Sequence, residues 1–160
     1  MEENLYLEMI KYYAGDAKRS QHFTKVYSYA ILIARLEGVD EETLKILGAA
    51  ALVHDIGIKA AEEKYGRCDG KLQEQLGPDI AEVMLEKVGY DKEEIERVKY
   101  LVGHHHTYSD INEIDYQILV EADFIVNIYE DELDKKAVNT TLEKILKTKT
   151  GIIICENMFK

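Results

Sequence analysis

Apolar residues recur at every third or fourth position along most of this chain, which is the spacing of helices that bury one face. One such stripe lies between Asp16 and Glu37, and Gly38 follows it as a stop signal. No segment before residue 151 alternates apolar and polar side chains as a half-buried strand would. The sequence therefore predicts an all-α fold. The first stripe consists of His22, Val26, Ala30, Ile33 and Leu36.

The second predicted helix begins at Asp40, whose carboxylate can cap it, with Val39 and Leu44 placed as a hydrophobic staple. It continues through residues 45–53, which are apolar nearly all round, and ends near the tetrapeptide His54-Asp55-Ile56-Gly57. A helix without a polar face is typical of a position inside a bundle. We therefore expect this helix at the centre of the fold.

A charged, glycine-containing loop is expected over residues 64–71, and Gly77-Pro78 is expected to open the third helix with proline in its first turn. A capping box at Asp91–Glu94 predicts a fourth helix that reaches the run His104-His105-His106. A fifth helix is predicted from roughly Asp115 to Glu130, and a further helix is expected near 140–147. Residues 151–155 fit either a short strand or a helical turn. The third stripe contains Ile80, Val83, Met84 and Val88, and the fifth contains Ile118, Leu119, Ala122, Ile125, Val126 and Tyr129.

The length of 160 residues suits one domain with an adequate core, and no linker or internal repeat divides the chain. We predict a compact single-domain helical bundle over 1–160, with a motif-bearing core at about 16–130 and a C-terminal helix and tail at 131–160.

The formal net charge of −11 disfavours stable binding to nucleic acid, whose phosphates it would repel. It does not exclude a small phosphorylated substrate, because a bound divalent metal reverses the local potential. No apolar run approaches the roughly 18 residues of a membrane span, and the N-terminus lacks the order of a signal peptide. Two cysteines, Cys68 and Cys155, are too few for a disulfide framework. These features favour a cytoplasmic protein without membrane contact, and they leave its oligomeric state open.

Several histidines and acids fall on faces that should be buried. His22 lies on its apolar stripe, His54-Asp55 ends the central helix, and Asp123 interrupts the apolar face of the fifth helix. Each alone could be a hydrogen-bonded core residue, but burying all of them without partners is costly. A shared divalent metal would satisfy them together, and Mn, Fe, Zn, Co, Ni and Mg all remain candidates for one ion or two.

Helical phase separates the three consecutive histidines. Relative to the stripe of their helix, His105 points inward, His106 lies at the margin, and His104 points away unless the helix ends or unwinds there. The sequence contains no HExxH zincin motif, no ExxH pair of di-iron bundles, no phosphate-binding P-loop and no nucleophile elbow.

The ordered set of His22, His54-Asp55, His104-His105 and Asp123 resembles the HD-domain superfamily of metal-dependent phosphohydrolases. The resemblance covers about three quarters of the chain, and the segment His54–Gly57 is its most specific part. It implies a compact helical bundle in which His22, His54, Asp55 and Asp123 bind one metal. In two-metal members Asp55 would bridge, and His104 and His105 would hold the second ion.

The chain departs from the two-metal pattern at one place. Such members commonly carry a histidine four residues before the glycine of a G-[AP]-x-I-A segment, and here that position is Gln73. Glu74 beside it could substitute as an oxygen ligand, and His106 is a further candidate. The resemblance thus implies a first metal site directly and a second one only in part.

The implied reaction is hydrolysis of a phosphomonoester or phosphodiester of a nucleotide-like small molecule by metal-activated water, with Asp55 as the catalytic ligand. Lys59, Lys64, Arg67 and Lys71 fit either a phosphate clamp or a solvated loop, and Glu121 and Asn127 flank Asp123 on its helix. Two other functions remain as alternatives: that of a di-iron oxygenase on an HD-type fold, and that of a ligand-binding or regulatory HD module without turnover.

Overall fold

The computed structural model describes all 160 residues and contains helices and turns but no strand, which confirms the all-α prediction. Both cysteines are free. No helix is both long and apolar enough to cross a membrane. The nine helices are α1 (Glu2–Tyr12), α2 (Ala17–Leu36), α3 (Glu41–Val53), α4 (Ile58–Tyr65), α5 (Gly70–Val88), α6 (Lys92–His104), α7 (Ile114–Glu130), α8 (Lys135–Lys144) and α9 (Lys149–Phe159).

Aspartates set the starts of the helices that carry the polar core residues. Asp16 accepts a hydrogen bond from the backbone N–H of Arg19 at the start of α2, and Asp40 caps α3 in the same way. Asp91 and Glu94 form the predicted capping box of α6. Each cap satisfies a backbone donor that the first helical turn leaves unpaired.

Helix α3 lies at the centre, as the nearly all-round apolar sequence of residues 45–53 predicts. Every residue from Leu47 to Val53 is buried, and the helix packs against α1, α2, α6 and α7. Helices α2 and α7 also pack against each other, and α6 packs against α5. The C-terminal end of α3, which carries His54 and Asp55, is therefore enclosed by the helices that carry the other polar core residues.

The region after Gly57 differs from the prediction. Residues 58–65 form α4, and α5 begins at Gly70 under an Asp69 cap, so that Pro78 lies inside a helix and not in its first turn. Proline removes one helical hydrogen bond and usually costs about 3 kcal/mol within a helix. The cost is offset because α5 packs closely along α6, where a methyl group on Gly103 would be 3.4 Å from the Pro78 ring.

The chain also differs from the prediction in α1, in the start of α8 and in three stripe residues. The chain forms an unpredicted N-terminal helix α1, whose Leu5 and Met9 are fully buried, and α8 begins at Lys135, five residues before the predicted start. Residues 151–155, which fit either a short strand or a helical turn, belong to α9, whose first turn Thr148 caps. The stripe members Leu36, Val83 and Tyr129 are 66%, 67% and 69% exposed, because they lie at the margins of their helices' buried faces.

Candidate metal centre

Four buried side chains from three neighbouring segments converge at the end of α3. His22 comes from α2, His54 and Asp55 follow α3, and Asp123 comes from α7. One ligand atom of each lies within 4.8 Å of all the others. All four side chains had been singled out from the sequence, and the structure brings them together.

The histidines that point into this cluster share one orientation. His54 Nδ1 lies 2.8 Å from the carbonyl oxygen of Ala51, and His22 Nδ1 lies 2.6 Å from Glu130 Oε1. A carbonyl or carboxylate oxygen only accepts, so each Nδ1 donates its hydrogen and each Nε2 presents a lone pair. Both Nε2 atoms face the centre of the cluster. This is how protein histidines are held when they bind a metal through Nε2.

The centre therefore contains acceptors that face one another. The two Nε2 atoms are 3.2 Å apart, and His22 Nε2 is 3.1 Å from Asp55 Oδ2 and 3.4 Å from Asp123 Oδ1. His54 Nε2 lies 3.4 Å from the same two carboxylate oxygens. Such a group needs either extra protons or a cation to be stable in the core.

Protonation stabilises the cluster when no metal is present. Burial by itself lowers the pKa of both histidines, but hydrogen bonds and charge from Asp55 and Asp123 outweigh it and raise the pKa of His22 to about 11 and of His54 to about 10. Burial likewise raises the pKa of each aspartate, yet the facing histidines hold the pKa of both well below its usual range. The four side chains are electrostatically arranged for positive charge at their centre.

A divalent metal fits this donor set. Ligands about 2.0–2.1 Å from a Zn-like ion lie about 2.9–3.4 Å from one another in octahedral or tetrahedral shells. The separations of 3.1–3.4 Å between imidazole nitrogens and carboxylate oxygens fall in that range. Two imidazoles and two carboxylates suit Zn, Fe, Mn or Co by ligand type.

A second group shares Asp55. Its other oxygen, Oδ1, lies 2.9 Å from His105 Nε2 and 3.7 Å from His106 Nε2. His105 Nδ1 donates to the Val102 carbonyl oxygen, so its Nε2 also offers a lone pair. His106 differs, because its Nε2 lies 2.6 Å from the amide oxygen of Gln73 and donates to it. The hydrogen bond to Gln73 thus uses His106 Nε2, the atom that a second ion would need as a ligand.

Two candidates for the second metal, His104 and Glu74, lie elsewhere. His104 points away from both groups: its ring stacks on Tyr100 at 4.0 Å, and its Nδ1 donates to the Tyr100 carbonyl oxygen. Because α6 continues through His104, the prediction from helical phase that this side chain points away is confirmed. The assignment of His104 as a metal ligand is wrong. Glu74 accepts a hydrogen bond from Thr107 Oγ1 and belongs to neither group.

A cavity of about 290 Å³ opens onto His22 and Asp55. Arg19 and Lys18 supply its positive charge. Arg19 Nη2 pairs with Glu62 Oε1 at 2.9 Å, while Arg19 Nη1 is buried without a hydrogen-bond partner. The full lining is Asp16, Lys18, Arg19, His22, Asp55, Ile58, Asn127, Glu130 and Asp131.

The four basic residues that fit either a phosphate clamp or a solvated loop do not line this cavity. Lys59 donates to the Tyr12 carbonyl oxygen, Lys64 lies over the Tyr65 ring, and Arg67 pairs with Asp69. Lys71 is exposed. Of the two alternatives, these contacts favour solvated charges over a phosphate clamp. The expected loop at 64–71 is also shorter than predicted, because α4 extends to Tyr65 and α5 begins at Gly70.

Sequence reasoning missed Arg19 and Glu130 and left Asn127 undecided. Asn127 Nδ2 donates to Asp123 Oδ1 at 3.0 Å, and Glu130 accepts from His22. Asn127 and Glu130 follow Asp123 by four and seven residues, and Arg19 precedes His22 by three, so helical spacing alone places them on the ligand faces. Glu121 faces the other way and accepts hydrogen bonds from Lys147 N, Thr148 N and Thr148 Oγ1, which anchors α9 to α7.

The turn after Asp55 is fixed by a close approach of two backbones. A methyl group on Gly57 would lie 2.9 Å from Gly77 N and 3.0 Å from the Gln73 carbonyl oxygen. The Tyr13 hydroxyl donates to the backbone carbonyl oxygen of Asp55 at 3.2 Å. Helix α5 and Tyr13, the residue that follows α1, thus hold the peptide that carries Asp55.

The comparisons with known proteins agree with this geometry. The family model for the HD domain matches residues 19–147, which include all four converging side chains. The chain belongs to the HD-domain family. This HD domain is similar in structure to a predicted HD superfamily hydrolase from an uncultured Thermotogales bacterium, with a TM-score of 0.64 and 25% sequence identity. The match covers 96% of this chain and 80% of that one. Among curated proteins, none matches the sequence significantly.

Proposed function

We propose that this HD domain is a metal-dependent phosphohydrolase that cleaves a phosphomonoester or phosphodiester of a nucleotide-like small molecule. The observation that carries the proposal is the cluster of His22, His54, Asp55 and Asp123, whose acceptor atoms face one another beside a cavity. A divalent metal there supplies Lewis acidity, which lowers the pKa of water and polarises a phosphoryl oxygen.

The chain's own residues have separate tasks in this proposal. His22, His54 and Asp123 hold the ion, and Asp55 contributes Oδ2 to the first group while Oδ1 faces His105. Asn127 fixes the Asp123 carboxylate by donating to Oδ1. Because these side chains are buried, few solvent molecules compete with the substrate for the site.

We further propose that Arg19 binds the substrate phosphate. Arg19 lines the cavity, and its ion pair with Glu62 holds its guanidinium in place. A cation beside the metal cluster would offset the negative charge of a bound phosphate and donate hydrogen bonds to its oxygens. Arginine is also the side chain best shaped for phosphate.

The lining of the cavity suits the hydrophilic part of such a substrate. Ile58 is its single apolar side chain, and the lining contains no Phe, Tyr or Trp ring. Asp16, Asn127 and Asp131 offer acceptors for hydroxyl groups. We therefore propose that the phosphate and sugar of a nucleotide-like substrate enter the cavity, whereas a base would lie outside it.

A panel of phosphomonoesters and phosphodiesters, given to metal-stripped protein with Mn, Co, Ni, Mg or Fe, tests the proposal. We expect phosphate release that requires metal, and we expect Arg19→Met to raise KM strongly while Lys71→Met, outside the cavity, leaves KM unchanged. Metal binding without turnover on any substrate would favour a regulatory module. Oxygen consumption by the iron-loaded protein would favour an oxygenase.

A further inference from the structure

Glu130 lies at the C-terminal end of α7 and closes the outer side of His22. Its Oε1 lies 2.6 Å from His22 Nδ1, and its side chain is only 11% exposed. The other carboxylate oxygen faces the ammonium group of Lys25 at 3.5 Å. The carboxylate is thus enclosed between a histidine of the metal cluster and a lysine of the same helix α2.

Glu130 differs from the acceptors that orient the other inward histidines. His54 and His105 donate to the backbone carbonyl oxygens of Ala51 and Val102. Those acceptors belong to the helix itself, so side-chain substitution does not remove them. The orientation of His22 depends instead on a side chain that is 108 residues away in the sequence.

We propose that Glu130 is a positioning residue for metal binding: its carboxylate keeps the hydrogen of His22 on Nδ1 and thereby presents Nε2 to the ion. The inference rests on the proposed function only in that it requires the cluster to bind metal. A carboxylate behind a metal-binding imidazole also makes the imidazole a stronger donor, and loss of such a partner typically weakens metal binding about 10–100-fold.

Zn²⁺ affinity, measured by chelator competition on metal-stripped protein, tests this inference without an activity assay. We expect Glu130→Ala to weaken Zn²⁺ binding about 10–100-fold. Glu130→Gln should lose less, because the amide oxygen still accepts from Nδ1 but carries no charge. Asp131→Asn is the matched control, since it removes a carboxylate from the same end of α7 with no contact to His22. It should change affinity less than about fivefold, as expected for an exposed charge.

The His22 ring provides a signature that a purely structural role would not move. In the Zn²⁺-loaded parent, ¹⁵N-labelled His22 should carry a slowly exchanging proton on Nδ1. The alanine variant should lose that signal to solvent exchange, and the Asp131→Asn variant should keep it. If the alanine variant does not fold, the glutamine variant decides, with a shifted Nδ1–H resonance and weaker Zn²⁺ binding than Asp131→Asn.

Two results would overturn the inference. One is Zn²⁺ binding by a folded Glu130→Ala protein within twofold of the parent. The other is a glutamine variant whose Zn²⁺ affinity and Nδ1–H resonance are both those of the parent. A parent protein that binds no Zn²⁺ would instead contradict the proposed metal centre itself, so the two failures are distinguishable.

Discussion

The turn that carries Asp55 can be perturbed by one methyl group, through Gly57→Ala. The backbone of Gly57 has φ −74° and ψ −12°, a conformation that alanine adopts readily. Chain entropy alone therefore predicts that alanine stabilises the protein, by about 0.4–1 kcal/mol. The structure predicts the opposite sign, because of what the added methyl group would meet.

The three atoms nearest to the methyl group would all belong to the backbone of α5. It would lie 2.9 Å from Gly77 N, 3.0 Å from the Gln73 carbonyl oxygen and 3.1 Å from Gly77 Cα. No side chain can rotate to relieve these contacts, so α5 must move away from the turn. Overpacking of this kind costs about 1–3 kcal/mol. After subtracting the entropic gain, we expect a net loss of about 0–2.6 kcal/mol, with about 1–2 kcal/mol as the central value.

Urea and thermal unfolding of the metal-stripped protein measure this effect. For a chain of this size a loss of 1–2 kcal/mol lowers Tm by about 2–8 °C. Gly103→Ala is the control: it adds a methyl group to α6 at ordinary contact distance, 3.4 Å from the Pro78 ring, and should be neutral or stabilising. A Gly57→Ala protein that is at least as stable as the parent would refute the packing argument.

Three other predictions concern the metal groups. Asp55→Ala should reduce phosphate release to background while the circular dichroism stays helical, and wild-type turnover by the purified variant would count against the mechanism. Metal titrated into stripped protein should show a second, weaker site, which Gln73→His strengthens and His105→Ala removes; two equally tight sites in the parent would contradict this. The pKa of His22 is raised to about 11 and that of His54 to about 10, both above the unfolded value of 6.5. The two protonated histidines therefore stabilise the folded, metal-free protein fully below about pH 6.5, and this stabilisation is lost as the pH rises toward 10–11. The Tm of metal-free protein should therefore fall over that range, and a Tm that stays constant would refute this.

The central part of the fold could be predicted from sequence because its signals are local. The caps at Asp40 and Asp91 and the apolar residues of α3 need no tertiary information. The errors arose where tertiary packing outweighed local signals. Pro78 is typical of a helix start, yet it lies inside α5 because that helix packs along α6. Residues 151–155, for which the sequence leaves a strand or a helical turn open, follow the Thr148 cap into α9.

The direction of a site residue could be predicted where its own helix sets it. It could not be predicted where a contact between two helices sets it. Helical phase alone places His105 inward and His104 outward, and both placements agree with the structure. The Gln73–His106 hydrogen bond joins α5 to the turn after α6, so no local pattern contains it. Glu130 could have been found, since it lies seven residues after Asp123 on the same helical face.

The most direct test of the account is the position of a bound metal. Crystals of the metal-loaded protein, measured at the absorption edge of the added metal, would locate it by anomalous scattering. The account predicts a strong peak about 2.0–2.3 Å from one ligand atom of each of His22, His54, Asp55 and Asp123. A fully loaded protein whose strongest peak lies elsewhere, or in which any of these four side chains points to solvent, would contradict it.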